Sequence, residues 1–249
     1  MSLARLFIES EPLPGARNMA VDETLLESAL ERDISSVRIY EWSAPTVSLG
    51  YFQDAGEYER DSQWSGLAAV RRLSGGGAIL HDREITYSVA LPPSHVISSQ
   101  PSRLYGLVHN AVLEVLAEHC ITACMRAAAQ SIDHRPSTIE PFLCFGRGDP
   151  NDIVLGAHKI VGSAQRRRRG AILQHGSILL ERSPHAAEFS GIAELTGIAL
   201  DRFQLGEQVG VAIANVVGGR AERSGLDDLE QRRASELARD RYSALRWAK

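Results

Sequence analysis

Lysine is nearly absent from this chain: Lys159 and Lys249 are the only two, and every other fixed side-chain cation is arginine. Cysteine is scarce as well, limited to Cys120, Cys124 and Cys144. Three thiols in 249 residues make no disulfide framework, so a reducing compartment is expected. No apolar run approaches the roughly 18 residues that cross a bilayer, and residues 1–10 carry no long apolar stretch with a cleavage site. A cytoplasmic location with no membrane partner follows as the expectation. Charge of one sign is not in excess, since 27 Lys and Arg against 31 Asp and Glu leave a net −4. That balance excludes a general nucleic-acid coat. The Walker A pattern is missing, and no G-x-G-x-x-G opens a helix after the first strand, which removes P-loop phosphoryl transfer and Rossmann chemistry.

What remains is an ordinary globular composition, 44% hydrophobic and 23% charged, enough for a full core. No internal repeat divides it, so residues 1–249 read as a single domain with a charged helical tail from about 226. Residues 6–8 read as a strand, followed by a loop through Pro12, Pro14 and Gly15 to Asn18 as helix N-cap. Val21, Leu25, Leu26, Ala29 and Leu30 then recur at helical spacing, with Asp22 and Glu23 in the first turn. Segments 37–42 and 46–51 look like a hairpin about residues 43–45. Strands are expected at 67–71, 78–80 and 85–91, an amphipathic helix from Leu104 to near His119, and a polar loop over 130–140. Residues 153–155, 159–165 and 171–180 form an antiparallel meander. The irregular alternation of helices and hairpins predicts an α+β fold with a mixed, largely antiparallel sheet flanked by helices.

Chemistry concentrates in the span from Arg71 to Asp82. Arg72 brings fixed charge, Gly75, Gly76 and Gly77 expose main-chain N–H groups, and His81 titrates, a combination suited to an acyl oxyanion or a phosphate. The same residues also read as a glycine-rich turn beside a solvated arginine pair, with His81 hydrogen-bonded to backbone. A zinc site is not built here, because His119, Cys120 and Cys124 have no second ligand pair; these thiols read as packed in the core. Cys144 differs. It sits upstream of the hairpin carrying Lys159, where a titratable amine stands in a chain that otherwise uses arginine. An ammonium beside a thiol raises its thiolate population, which is the nucleophile. By strand alternation Lys159, Val161, Ser163 and Gln165 share one face, and Ile160, Gly162 and Ala164 the other, where small residues leave room for an extended ligand. The arginines at 166–169 fall at the hairpin tip, as a solvated cluster or as a docking patch for acidic domains. No aromatic platform accompanies them, so no nucleic-acid partner is expected.

Six segments together resemble the lipoate–protein ligase and octanoyltransferase family, whose catalytic domain is similar to that of biotin–protein ligases. They are Asn18-Met19-Ala20-Val21-Asp22-Glu23, Pro45-Thr46-Val47-Ser48-Leu49-Gly50, the loop from Arg72 to Asp82, Asn151-Asp152-Ile153, Lys159-Ile160-Val161-Gly162-Ser163-Ala164-Gln165, and Leu173-Gln174-His175-Gly176-Ser177. They occur in the family's order over about residues 6–181. The resemblance implies a biotin/lipoate protein ligase-like catalytic domain, with the glycine loop and lysine strand lining a tunnel for a medium-length acyl chain. It is closest to the branch with a nucleophilic cysteine before the lysine hairpin. On that branch Cys144 is the acyl acceptor and Lys159 its activator, while Arg72, Gly75, Gly76, Gly77, His81, Gly162, Ser163, Ala164, His175 and Gly176 bind substrate. Backbone N–H groups near 162–164 or 175–177 would hold the oxyanion. The donor implied is octanoyl-acyl carrier protein, and the acceptor a lipoyl domain or glycine cleavage H-type protein, with no cofactor and no metal. ATP and Mg²⁺ would be needed were the chain instead a lipoate–protein ligase, an alternative that Ser74-Gly75-Gly76-Gly77 keeps open beside an octanoyl amidotransferase and a non-enzymatic acyl-binding scaffold.

Overall fold

The computed structural model describes residues 3–64, 66–129 and 142–245; the expected polar loop at 130–140 lies outside them. The strands are β1 (Ala4–Ile8), β2 (Ser35–Tyr40), β3 (Thr46–Leu49), β4 (Ala68–Arg71), β5 (Ile79–His81), β6 (Glu84–Leu91), β7 (Cys124–Met125), β8 (Ile153–Leu155), β9 (His158–Arg168), β10 (Ala171–Leu179) and β11 (Ala221–Arg223). The helices are α1 (Gly15–Arg32), α2 (Ala55–Arg60), α3 (Pro101–Glu118), α4 (Ile192–Thr196), α5 (Arg202–Gly218) and α6 (Asp228–Asp240). Eight strands form one sheet in the order β11-β1-β2-β6-β10-β9-β8-β7, and β4-β3-β5 form a small second sheet. In the large sheet β11, β1 and β2 run parallel and the remaining pairs antiparallel, the mixed, largely antiparallel α+β arrangement read from the sequence.

Period-two alternation gives the large sheet two different faces. On one, Leu6 of β1, Val37 and Ile39 of β2, Ile85, Tyr87, Val89 and Leu91 of β6, and Ile172 and Ile178 of β10 join Leu104, Val108, Val112 and Val115 of α3 and Leu205, Val209 and Ile213 of α5. Helix α5 approaches this closely because of its glycines. A Cβ on Gly210 would lie 2.9 Å from Ile39 Cγ1, and one on Gly218 would lie 2.7 Å from the Ala4 backbone nitrogen. On the opposite face the same strands present Arg38, Tyr40, Glu84, Thr86, Ser88, His175 and Ser177, all buried. Helix α1 covers that face, with Met19, Leu25, Leu26 and Ala29 packed on Phe7, Tyr40 and Leu173, and α6 packs outside it through Ala234 and Leu237.

Three local expectations are corrected. Helix α1 starts at Gly15 behind Pro14, so Asn18 is inside it and not its N-cap. The Asn18 amide donates to the Leu13 and Glu41 carbonyls at 3.2 and 3.0 Å, and Asp22 and Glu23 fall mid-helix as buried network members. Segments 37–42 and 46–51 are not a hairpin: β2 pairs with β1 and β6, whereas β3 pairs with β4 and β5. The turn at 43–45 carries the chain from one sheet to the other. Cys120 and Cys124 are not packed in the core: Cys120 follows the end of α3 at Glu118 with φ +61°, and neither thiol is buried.

Candidate active site

A buried polar face is stable only if its groups find partners. Asp22 of α1 reaches across to the sheet and accepts from Tyr40 Oη at 2.9 Å, Ser88 Oγ at 2.8 Å and Arg38 Nη1 at 3.2 Å. Burial opposes its charge, but the hydrogen bond from His175 and the charge of Arg38 win, holding its carboxyl below the usual range. Glu84 of β6 plays the matching part for His81, accepting from its Nδ1 at 2.6 Å, from Thr86 Oγ1 at 2.6 Å and from Ser177 Oγ at 2.9 Å. Trp42 stacks on His81, its ring centroid 3.8 Å away, and donates to Thr86.

The glycine loop between β4 and β5 sits on this face. Neither arginine of the expected solvated pair is solvated: Arg71 and Arg72 are both buried. Arg71 Nη1 donates to the carbonyls of Gly50, Tyr51 and Gln53 at 2.8, 3.1 and 2.8 Å. Arg72 Nη2 donates to the Gly75 and Gly77 carbonyls at 2.6 and 2.7 Å, and Nη1 to the Ser48 carbonyl at 2.7 Å. Burial pulls the Arg72 guanidinium down to about 10, with the nearby Arg147 pushing the same way. The loop also needs its glycines: Gly76 has φ +90°, and its carbonyl oxygen lies 2.0 Å from where a Cβ on Gly50 would be.

Cys144 starts a short 3₁₀ turn, Cys144–Gly146, hooked onto the chain just past the glycine loop. Its N–H donates to the Ala78 carbonyl at 2.7 Å, and Ala78 N–H donates to the Phe142 carbonyl at 3.0 Å. From the far side comes Lys159, whose Nζ lies 3.3 Å from the Cys144 carbonyl oxygen and 3.7 Å from Sγ. The cysteine and lysine singled out in the sequence therefore meet. A third group completes the pair: Asp152 Oδ1 is 2.9 Å from Lys159 Nζ, with both side chains 4% exposed. Burial raises the Asp152 carboxyl, against the pull of Lys159 and Arg126. Sequence reasoning gave Asp152 no role, although a carboxylate seven residues before the sole internal lysine was its signal.

The expected alternation along β9 is wrong at its start. Ile153 pairs with Val161 but Val154 with Lys159, so the register shifts between them and the face inverts. Lys159 thus shares the face of Gly162, and its Cε and Nζ lie only 2.4 and 2.8 Å from where a Gly162 Cβ would be. One expected substrate contact turns away from this face: Ser163 Oγ meets His109 Nε2 at 2.8 Å. Gly176, where a Cβ would run into Tyr87 Oη, lines a narrow cavity with His81 and His175. Ala164 pairs with His175 across the ladder. Residues 175–177 do not offer an oxyanion hole, because β10 is paired to β6 on one side and β9 on the other and its N–H groups serve those ladders. The arginines are not all at a hairpin tip either: Arg166, Arg167 and Arg168 belong to β9, and only Arg169 and Gly170 turn.

The lipoyl protein ligase A/B catalytic domain model matches residues 14–196. An octanoyltransferase LipM from Geobacillus kaustophilus is 39% identical over 183 residues, covering 70% of this chain and 65% of that protein, so the matched part falls just short of two thirds of its length. A LipM from Kyrpidia tusciae is 31% identical over 258 residues, covering 93% of each chain. Among solved structures, lipoate-protein ligase A bound with ATP superposes with a TM-score of 0.69 at 21% identity, covering 98% of this chain and 97% of that one. The bipartite lipoate protein ligase of Thermoplasma acidophilum gives 0.67 at 20%, covering 98% and 94%. With the family model spanning most of the chain and the sheet, glycine loop and lysine strand in place, the chain belongs to the lipoyl protein ligase A/B catalytic-domain family.

Proposed function

We propose that this chain is an acyltransferase: a protein octanoyltransferase that takes an octanoyl group from octanoyl-acyl carrier protein onto Cys144 and passes it to a lysine of a lipoyl domain or glycine cleavage H-type protein. The observation that carries the reading is Cys144 Sγ at 3.7 Å from the buried, carboxylate-paired Lys159 ammonium. The names of its octanoyltransferase relatives support the acyl group.

In the first half, the Cys144 thiolate attacks the thioester carbonyl carbon, and Lys159 Nζ donates to the oxygen as negative charge builds on it. The tetrahedral intermediate collapses, the carbon–sulfur bond to the carrier breaks, and the carrier thiolate takes up the proton that Cys144 gave up. In the second half, the acceptor amine attacks the Cys144 thioester, Sγ leaves as the thiolate, and the proton that the amine loses passes to that thiolate, giving the amide and free Cys144. A thioester supplies the activation, so neither half uses ATP or a metal. A cytoplasmic location is part of this reading; among the described residues no helix is long and apolar enough to cross a membrane.

Intact-protein mass spectrometry tests this reading. Wild type mixed with octanoyl-acyl carrier protein, without ATP, is expected to gain an octanoyl adduct labile to hydroxylamine, and Cys144→Ala to gain none. ATP-dependent modification of a lipoyl domain by the Cys144→Ala variant would point to a ligase, and transfer only from an octanoylated lipoyl protein to an amidotransferase.

A further inference from the structure

His81 and His175 were expected to meet substrate, yet both ring nitrogens of each already have partners. His175 Nε2 is 2.5 Å from Ser74 Oγ and its Nδ1 is 3.2 Å from Asp22 Oδ2. His81 Nε2 is 2.7 Å from Ser48 Oγ and its Nδ1 is 2.6 Å from Glu84 Oε1. These are two serine–histidine–carboxylate chains, and they converge on one cation. Arg72 Nε lies 3.2 Å from Ser74 Oγ, and Nη1 lies 3.3 Å from Ser48 Oγ. The rings also line one narrow cavity with Met19, Tyr40, Thr86 and Ser177.

The partners set the direction of the bonds. A guanidinium only donates and an ionised carboxylate only accepts, so each serine oxygen accepts from Arg72 and each ring carries a hydrogen on Nδ1, aimed at its carboxylate. In a neutral ring Nε2 then accepts the remaining serine hydrogen. The Asp22 and Glu84 charges are thereby relayed to a buried arginine that has carbonyls but no carboxylate of its own within bonding distance among the described residues. Arg72 in turn grips the carbonyls of Gly75 and Gly77, one residue before the Ala78 carbonyl that holds the Cys144 N–H.

We propose that Asp22–His175–Ser74 and Glu84–His81–Ser48 are paired positioning relays that lock Arg72 under the glycine loop and so set where Cys144 stands against Lys159. The proposal rests on the octanoyl-transfer reading only for its kinetic arm. The groups facing the two rings are Asp22 of α1, Arg38 and Tyr40 of β2, Glu84 of β6, Arg72 after β4, and each ring the other. Protonating either ring would place a hydrogen on Nε2, so that the serine must turn its own hydrogen away and the relay to Arg72 reverses at that bond.

The direct test is the imidazole ¹⁵N spectrum of the full histidine-labelled chain, the two rings assigned with His81→Gln and His175→Gln. Both are expected as neutral Nδ1–H tautomers at pH 7.5; an Nε2–H ring or an imidazolium at either position overturns the proposal. The kinetic arm measures octanoyl loading of Cys144 from octanoyl-acyl carrier protein. Ser48→Ala with Ser74→Ala is expected to slow loading at least about tenfold and to move the acid limb of the rate to higher pH, while Ser→Thr at both positions restores most of the rate. Loading by the alanine variant at the wild-type rate and with the wild-type pH limb also overturns it. If wild type takes up no octanoyl group at all, the functional reading fails and the tautomers alone decide the relays.

Discussion

Gly162→Ala isolates the placement of Lys159 from its chemistry, because the lysine itself stays in the chain. The new methyl carbon would stand 2.4 Å from Lys159 Cε and 2.8 Å from Nζ, and ordinary contact begins near 3.4 Å. The end of the lysine must therefore move by about 1 Å, away from a site where Nζ lies 2.9 Å from Asp152 and 3.7 Å from Cys144 Sγ. The atoms that must yield are the far end of a flexible side chain, and Arg126 stays near the carboxylate, with Nε 3.5 Å from Asp152 Oδ2. The fold should thus survive at a cost of roughly 1–2 kcal/mol, a Tm loss of about 2–8 °C in a chain this size. A misplacement of about 1 Å in a catalytic donor costs up to about 100-fold in rate. The assay is single-turnover octanoyl loading of Cys144 followed by intact mass, beside a thermal melt. A variant that melts within this range yet loads within threefold of wild type would refute the claim that Lys159 must sit where it does.

Burial holds the His109 imidazole down at about 4, against the pull of its hydrogen bond to the Asn151 carbonyl and helped by the charge of Lys159. The native state then binds fewer protons than the unfolded one between about pH 6.5 and 4, so this group's contribution is complete above about 6.5 and lost as pH falls toward 4, roughly 3 kcal/mol in all. Urea midpoints followed down this range should fall, and His109→Gln should flatten the slope; parallel curves would exclude the assignment. Gly218→Ala drives a methyl into the Ala4 backbone, which has no flexible end to give, and is expected to cost about 1–3 kcal/mol in a denaturant titration. Arg167, exposed on β9, is expected to steer acidic protein substrates: Arg167→Ser should lower kcat/KM at low salt and reduce its dependence on ionic strength, with kcat unchanged.

Period-two patterning made the sheet legible, since β6 reads Ile-Tyr-Val-Leu to one side and Glu-Thr-Ser-Ala to the other. The rarity of lysine made Lys159 legible, and an isolated cysteine upstream made its partner so. What escaped was whatever depends on packing between distant segments. Helix α5 was not foreseen because Gly206, Gly210 and Gly218 each weaken a helix by about 1 kcal/mol, whereas in the fold they let it close on Ala4, Leu6 and Ile39. The bulge that turns Lys159 onto the Gly162 face is invisible in β9 alone, for it exists only in the register with β8. Asp22 looked like a helix-start residue until its position facing Arg38, Tyr40, Ser88 and His175 was known.

The site is held from two directions, and they differ in kind. Lys159, Asp152, His175 and Ser177 are carried on or beside strands of the large sheet, whose far face is a continuous apolar layer under α3 and α5, so their positions are as rigid as the core. Cys144 arrives on a short turn held by the Ala78–Cys144 and Phe142–Ala78 backbone bonds, and Ala78 adjoins the glycine loop that Arg72 grips. A change in the loop therefore reaches the nucleophile before it reaches the lysine. That ordering predicts an asymmetry: substitutions at Arg72 should move the Cys144 turn while leaving the Lys159–Asp152 pair intact, whereas Gly162→Ala should displace Lys159 and slow Cys144 chemistry while leaving the turn in place. Hydrogen exchange at the Cys144 amide, held by the Ala78 carbonyl, would separate these cases, and equal acceleration in both variants would mean that the site moves as one body.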